Sequence, residues 1–409
     1  MIHMRDLLRE PVGSAQASRL KIIKELMARP GTQSDLVRRS GFSLGTVNAI
    51  VRELGDERLI EQTGERRNNR VVRLRELTGV AVGIELGYRN TIVVGRAAHA
   101  PFEEARRTAL SVGAARGARG WLDSTLRAVH EVVADVGEHE DDIGTVGMAI
   151  PRMVDPVDQS LTPPLLPPWR GAENPASRLT RALREHADHR GVDVGALQVR
   201  LDNDATLGAL AESVYGDHRA ETLVFVKAST GVGAGVVIEG RLRRGFRGGA
   251  GELGHMMIQP RGRFCTCGGR GCLETLIGGD ALLANARAVL GNEEFASPKS
   301  VNELVAKARE GDPICSRVVH EAGMQLGYAV GTLCNLLNPD VVVLGGALGN
   351  AGEMVLDPCM SGIRRSALRA AHESHFRLVS STLSDGTAHG ALLMGIEGEG
   401  TLRGQRSPM

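Results

Sequence analysis

Residues Gly251–Thr275 read GELGHMMIQPRGRFCTCGGRGCLET, and the chemistry of this stretch sets the terms for the rest of the chain. Cys265, Cys267 and Cys272 fall within eight positions, and His255 stands ten positions before the first of them. Three thiolates and one imidazole are the soft sulfur and nitrogen donors that tetrahedral zinc favours, and four protein ligands leave no open position for water. His255, Cys265, Cys267 and Cys272 are therefore expected to hold a structural zinc. Gly268, Gly269 and Gly271 let the chain turn tightly around it. The competing reading is three free thiols beside a core histidine. The first ten residues contain Arg5, Asp6, Arg9 and Glu10 and no apolar leader, so crowded thiols point to metal before disulfides. Cys315, Cys334 and Cys359 are scattered through apolar, helical contexts and read as core thiols.

Around this loop the pattern is α/β. Val80 to Leu86 reads as a continuous apolar strand, and Ile143 to Ile150, Leu197 to Leu201, Thr222 to Lys227 and Val341 to Leu344 also read as strands. A second strand is expected at Thr91 to Arg96, and another at Gly235 to Glu239. Trp121 to Val133 carries Leu122, Leu126, Val129 and Val133 at helical spacing. Alternating strands and helices imply parallel sheets covered by helices, and more than 300 residues of this implies two lobes. With 52 glycines and only 3% aromatics, the composition fits many tight strand-to-helix turns.

Two further runs bear on function. In LDNDATLGALAE, Asn203 and Asp204 follow a strand and open a helix. A carboxylate there can face a ligand and accept a sugar hydroxyl or its proton, or it can simply cap the helix. In STGVGAGVVIEG, Ser229, Thr230, Gly231, Gly233 and Gly235 read as a phosphate-cradling turn or as a plain hairpin. The lysine-bearing Walker pattern is absent.

The front of the chain differs from the rest. Residues 1–78 carry 15 Lys and Arg against 10 Asp and Glu, and the remainder is mildly acidic. Leu20, Ile23 and Met27 share a helical face that ends at Pro30-Gly31. Thr32 can cap a short second helix, about Gln33 to Arg39, and Ser43 can cap a third with a stripe of Leu44, Val47, Val51 and Leu54. Two helices joined by a tight Gly-containing turn make a helix-turn-helix, whose third helix would enter the major groove. Ser43, Thr46, Asn48 and Arg52 are its candidate DNA contacts. Leu59 to Glu61 and Val71 to Leu74 flank the tip GERRNNR, a wing that presents Arg66, Arg67 and Arg70 to phosphates or the minor groove. The alternative is a three-helix adaptor.

Together these residues resemble the ROK family of repressors, open reading frames and sugar kinases, from about Arg19 to Gly395. The resemblance rests on Glu252, Gly254, His255, Cys265, Cys267, Gly268, Gly271, Cys272 and Glu274, which match the family signature at every position, and on Asn203-Asp204. It implies an α/β fold: a winged helix-turn-helix at 1–78, then a two-lobed, actin-like sugar-kinase domain at 79–395 with its zinc loop at 252–274. Residues 396–409 are polar and Gly-bearing at their end and read as a flexible tail. It further implies that Asn203, Asp204, Glu252, His255 and Glu274 bind a sugar, and that Asp204 is the catalytic base in kinase members.

Departures from the family pattern qualify the activity. Where kinase members carry an Asp-x-Gly-Gly-Thr phosphate loop, this chain has Glu85-Leu86-Gly87-Tyr88-Arg89. Tyr88 obstructs the close backbone approach that phosphate needs, and the Thr hydroxyl is gone. Arg152 replaces a glycine usual near the sugar. The expectation is a cytoplasmic, sugar-responsive transcription regulator, acting as a repressor of carbohydrate genes and binding sugar without phosphorylating it. Its expected partners are operator DNA, a sugar effector and a second copy in a homodimer or homotetramer, with no membrane. Zinc is the expected cofactor; ATP and Mg²⁺ are not expected. The alternative is an ATP-dependent sugar kinase that uses Asp204.

Overall fold

The computed structural model describes residues 3–8, 14–64, 70–137, 139, 142–161, 174–195, 197–218, 220–290, 297–373 and 375–397. A short helix α1 (Met4–Leu7) precedes α2 (Ser14–Ala28), which buries Leu20, Ile22, Ile23, Leu26 and Met27. Strand β1 (Gly31–Thr32) leads into α3 (Gln33–Ser40) through a reciprocal cap. The Thr32 hydroxyl accepts from the Asp35 N–H at 3.2 Å, and the Asp35 carboxylate accepts from the Thr32 N–H at 3.0 Å. Gly41, at φ +72°, ends α3 in the left-handed region that glycine enters without Cβ strain. Ser43 caps α4 (Leu44–Asp56) by accepting from the Thr46 N–H at 3.1 Å. Strands β2 (Ile60–Thr63) and β3 (Val71–Leu74) form an antiparallel hairpin, and β1 pairs along the other edge of β3. These elements make a winged helix-turn-helix. One detail differs from the sequence pattern. Leu44, expected in the buried stripe of α4, is 54% exposed in its first turn, and Ile50 completes the buried face with Val47, Val51 and Leu54.

The chain then builds two sheets on one plan. In the first, β4 (Val80–Leu86), β5 (Thr91–Ala97) and β6 (Arg106–Leu110) form an antiparallel meander. After α5 (Gly117–Val136), β7 (Ile143–Ile150) joins parallel to β4, and after α6 (Pro175–His189), β8 (Val199–Asn203) joins parallel to β7. The order is β6-β5-β4-β7-β8. Helix α7 (Asp204–Tyr215) opens the second compact unit, followed by the antiparallel strands β9 (Thr222–Ala228), β10 (Val232–Ile238) and β11 (Arg241–Arg243). Helices α8 (Glu274–Ile277), α9 (Gly279–Leu290), α10 (Val301–Arg309) and α11 (Pro313–Leu337) lead to β12 (Val341–Gly345), which is parallel to β9. Then α12 (Gly346–Gly349) and α13 (Glu353–Ser366) lead to β13 (Arg377–Ser380), parallel to β12, giving the order β11-β10-β9-β12-β13. Three antiparallel strands followed by two parallel ones, repeated, is the duplicated plan of an actin-like domain.

Helix α14 (Gly386–Glu397) belongs, from Thr387 on, to the first unit, with everything up to Asn203. It lies directly on the sheet: a Cβ on Gly83 would come within 2.0 Å of the Ala388 carbonyl, and one on Gly147 within 1.9 Å of the Ala391 carbonyl. Helix α14 runs through Glu397, with Ile396 buried, and residues 398–409 of the expected tail lie outside the described residues. Each unit has its own core. Trp121, Ile84, Met148 and Leu201 are among the residues that fill the first, and Val224, Val342, Val319 and Leu326 are among those of the second. A third cluster joins Ile23, Met27, Leu36, Val51 and Leu74 of the helix-turn-helix to Val94, Ala388, Leu392 and Ile396. Among the described residues no helix is long and apolar enough to cross a membrane.

Candidate functional site

The second unit arranges its polar residues around the β9–β10 hairpin. The Gly-rich run forms the hairpin turn, in which the Ser229 N–H donates to the Gly231 carbonyl at 2.9 Å. The Val232 N–H donates to Glu274 Oε2 at 3.0 Å, so Glu274, at the start of α8, is fixed against the turn. Gly254 lies where a Cβ would meet the Val232 carbonyl at 2.1 Å, which brings the 252–255 turn close beside the same strand. On the other side, Ala205 of α7 packs at Gly233, and Lys227, the cross-strand partner of Gly233, reaches Asp204. One hairpin therefore collects Asp204, the Glu252–His255 turn and Glu274.

His255 has two faces. Its Nδ1 lies 3.5 Å from Cys265 Sγ, and its Nε2 lies 3.7 Å from Glu252 Oε2. Cys267 and Cys272 have their sulfurs 3.7 Å apart, and the donor atoms of all four residues lie within 4.8 Å of one another. Tetrahedral zinc with ordinary bond lengths would set sulfurs about 3.8 Å apart and sulfur from nitrogen about 3.6 Å. Both observed spacings match, so the donor set fits a four-coordinate metal. Burial, reinforced by the neighbouring thiols and their charges, pushes the Cys272 thiol up to about 12, while the Gly269 N–H at 3.4 Å draws Cys267 down. Three thiolates cannot share this space without a cation. Gly271, at φ +71°, admits no side chain, because a Cβ would lie 1.6 Å from the Gln259 carbonyl. A metal held on Nδ1 leaves Nε2 and Glu252 facing away from it, able to meet a ligand hydroxyl.

Asp204, the first residue of α7, accepts from the Ala205 N–H at 2.9 Å on Oδ1 and from Lys227 Nζ at 2.7 Å on Oδ2. The carboxylate is thus held at the start of α7 by a first-turn N–H and by an ammonium in a largely buried pair. Lys227 is the residue that sequence reading missed. Its signal was a lone lysine inside the apolar strand LVFVKA. Asn203 ends β8 in the first unit, where its Nδ2 donates to the Arg152 carbonyl at 3.2 Å.

The turn after β4 is closed. The Gly87 N–H donates to the Asn90 carbonyl at 2.9 Å, completing a tight hairpin. The Gly87 and Tyr88 carbonyls accept from the Ala114 and Ala115 N–H groups at 3.0 and 2.9 Å, and the Tyr88 ring packs against the first-unit core.

On the front domain Ser43, Thr46, Asn48 and Arg52 are all exposed along α4. Ser43 and Thr46 also bond each other, with oxygens 2.9 Å apart, so the Ser43 hydroxyl shapes the helix start as well as facing outward. Arg70 is exposed at the base of the wing; Arg66 and Arg67 lie outside the described residues.

Comparison with known proteins agrees with this architecture. Residues 117–397 match the ROK family. The chain is 25% identical to the DNA-binding transcriptional dual regulator NagC of Escherichia coli strain K12, over 94% of this chain and 95% of that protein. It superposes on a solved ROK family transcriptional regulator, a homologue of the Escherichia coli MLC protein, with a TM-score of 0.68 and 23% identity, covering 94% and 97% of the two chains. It also superposes on a ROK family glucokinase from Streptomyces griseus in complex with glucose and AMPPNP, with a TM-score of 0.62 and 25% identity, over 78% of this chain and 100% of that one. The chain belongs to the ROK family.

Proposed function

We propose that this protein is a cytoplasmic, sugar-responsive repressor of carbohydrate genes that binds its sugar without phosphorylating it. The observation that carries this reading is a winged helix-turn-helix with an exposed polar α4 face, built into the same compact unit as a closed Gly87–Asn90 turn. The likeness to NagC along nearly the full length of both chains supports it. Asn203, Asp204, Glu252, His255 and Glu274 take the sugar. Zinc on His255, Cys265, Cys267 and Cys272 holds the loop that carries three of these five. Paired copies present two α4 helices to successive half-sites.

The chemistry required of these residues is modest. Asp204, pinned by Lys227, accepts a hydroxyl hydrogen; His255 Nε2 and Glu252 accept or donate to a neighbouring hydroxyl; Glu274 fixes the turn beneath them. A coupling of about 1–3 kcal/mol between sugar and DNA would change operator affinity roughly 5–150-fold. The test is selection of duplexes from a random library by the full-length protein, followed by titration with N-acetylglucosamine, glucose and other monosaccharides. Salt-dependent binding that a sugar alters is expected. A chain that retains no DNA at moderate salt overturns the reading in favour of the adaptor. The kinase alternative draws on the intact Asp204, and the same preparations test it for sugar-dependent ATP consumption.

A further inference from the structure

Arg96, near the end of β5, is 1% exposed, and a charge that deep requires a full set of partners. Its guanidinium points at main-chain carbonyls. Nη1 donates to Ala97, Ala98 and Ala100 at 3.1, 3.3 and 2.9 Å, which fixes the turn after its own strand. Nη2 donates to Met27 at 2.6 Å and reaches Ala28 at 3.5 Å. Met27 and Ala28 are the last two residues of α2, the first long helix of the DNA-binding domain. Terminal carbonyls of a helix lack intrahelical donors and carry the negative end of its dipole, so a cationic donor suits them on both counts. One turn earlier on α2, Lys24 Nζ donates to the Glu397 carbonyl at the end of α14. Between these two attachments Ile23 and Met27 share an apolar cluster with Val94, Ala388, Leu392 and Ile396. Helix α14 in turn rests on β4 and β7 at Gly83 and Gly147, too close to slide.

We propose that Arg96 is the joint that makes the helix-turn-helix and the first sheet one cooperative body, with Lys24 and α14 as a second brace. Any displacement of that sheet then moves α2, and with it α4, as a unit. The joint is how a ligand's effect reaches DNA. That last consequence rests on the regulator reading; the joint itself does not. A residue that merely stabilised the fold would loosen the whole protein when replaced, whereas a joint loosens one side of itself.

Hydrogen–deuterium exchange on the full-length protein separates these. In Arg96→Met, peptides from Ser14–Asp56 should exchange at least about tenfold faster, while those covering Val80–Leu86 and Ile143–Ile150 of the first sheet keep the wild-type rate. Arg96→Lys should fall between, because one ammonium cannot serve both carbonyl sets at once; it decides the matter if the methionine variant does not fold. Uniform acceleration throughout, or no change in Ser14–Asp56, overturns the proposal. A second arm uses a selected duplex with N-acetylglucosamine or glucose as probe. Sugar affinity should stay within about twofold of wild type in Arg96→Lys while the sugar's effect on DNA binding drops at least about fivefold. Undiminished coupling in a variant with accelerated α2 exchange overturns the link to regulation and leaves the joint standing. The exchange arm needs neither DNA nor sugar, so it also survives a failure of the regulator reading.

Discussion

The β9–β10 hairpin and the β4–β5 hairpin occupy equivalent places in two sheets of one plan, yet they have been put to different uses. The first gathers a carboxylate paired to Lys227, a two-faced His255 and a Glu274 fixed to main chain. The second turns back on itself through Gly87 and Asn90, with the partly buried Tyr88 ring packed against the core and its carbonyl tied to Ala115. On the proposed function, the first hairpin holds a polyhydroxylated ligand and the second, bonded to its own main chain, no longer cradles a nucleotide phosphate. The same plan thus carries a cluster of polar side chains at one hairpin and a turn closed on its own main chain at the other.

The largest expected effect concerns the metal. Removing it with a strong chelator, or replacing Cys272 by Ser, should destabilise the second unit by several kcal/mol, since structural zinc in small domains contributes about 10–16 kcal/mol of binding energy. Metal analysis of the purified protein with paired thermal melts checks this; a metal-free chain with an unchanged melt would break the comparison on the side said to be intact. Next is Asp204→Asn, which should weaken sugar binding by about 1.5–3 kcal/mol through loss of a charge-assisted hydrogen bond. Lys227→Met should cost about 1 kcal/mol by freeing the carboxylate it holds. Calorimetry with the monosaccharide that binds gives both numbers, and a tighter sugar in Lys227→Met would show that the ammonium competes with ligand instead of positioning Asp204.

On the other side of the comparison, Tyr88→Gly should cost about 1–2 kcal/mol of stability from lost packing and create no ATP consumption. Turnover in that variant would show that the ring alone separates a regulator from a kinase. The smallest effect lies in the front domain. Thr32→Ala should cost about 1 kcal/mol by removing the cap of α3. Burial acts to raise Asp35, but the Thr32 N–H and hydroxyl, with Arg38 and Arg39, outweigh it and hold the carboxyl below its ordinary range. A carboxyl depressed in the folded state contributes stability above its unfolded value of about 3.9 and loses it as pH falls through the lower folded value. Melts of the wild type should therefore dip below about pH 4 more than those of Thr32→Ala; equal dips would remove Asp35 from the explanation.

Much of this was legible in residue order. The metal donors, the caps at Thr32 and Ser43, and the central strands follow from spacing and residue type, because short-range geometry decides them. What escaped was set by tertiary neighbours. β6 (Arg106–Leu110) is an edge strand whose residues alternate only weakly, and sequence period gave it no signature. Lys227 reads only as the last residue of a strand until its partner 23 positions away comes into view. Arg96 looked like the polar end of a strand, although it is buried against the end of a helix 68 positions earlier. Leu44 looked like core because it shares a period with Val47 and Val51, yet nothing covers the first turn of α4 enough to bury it.

The separation of binding from transfer is tested most directly by measuring sugar-dependent ATP consumption and sugar-binding heat on the same wild-type preparation, with Asp204→Asn alongside. Binding heat without ATP consumption is the expected result. ATP turnover that a sugar triggers and Asp204→Asn abolishes would contradict it.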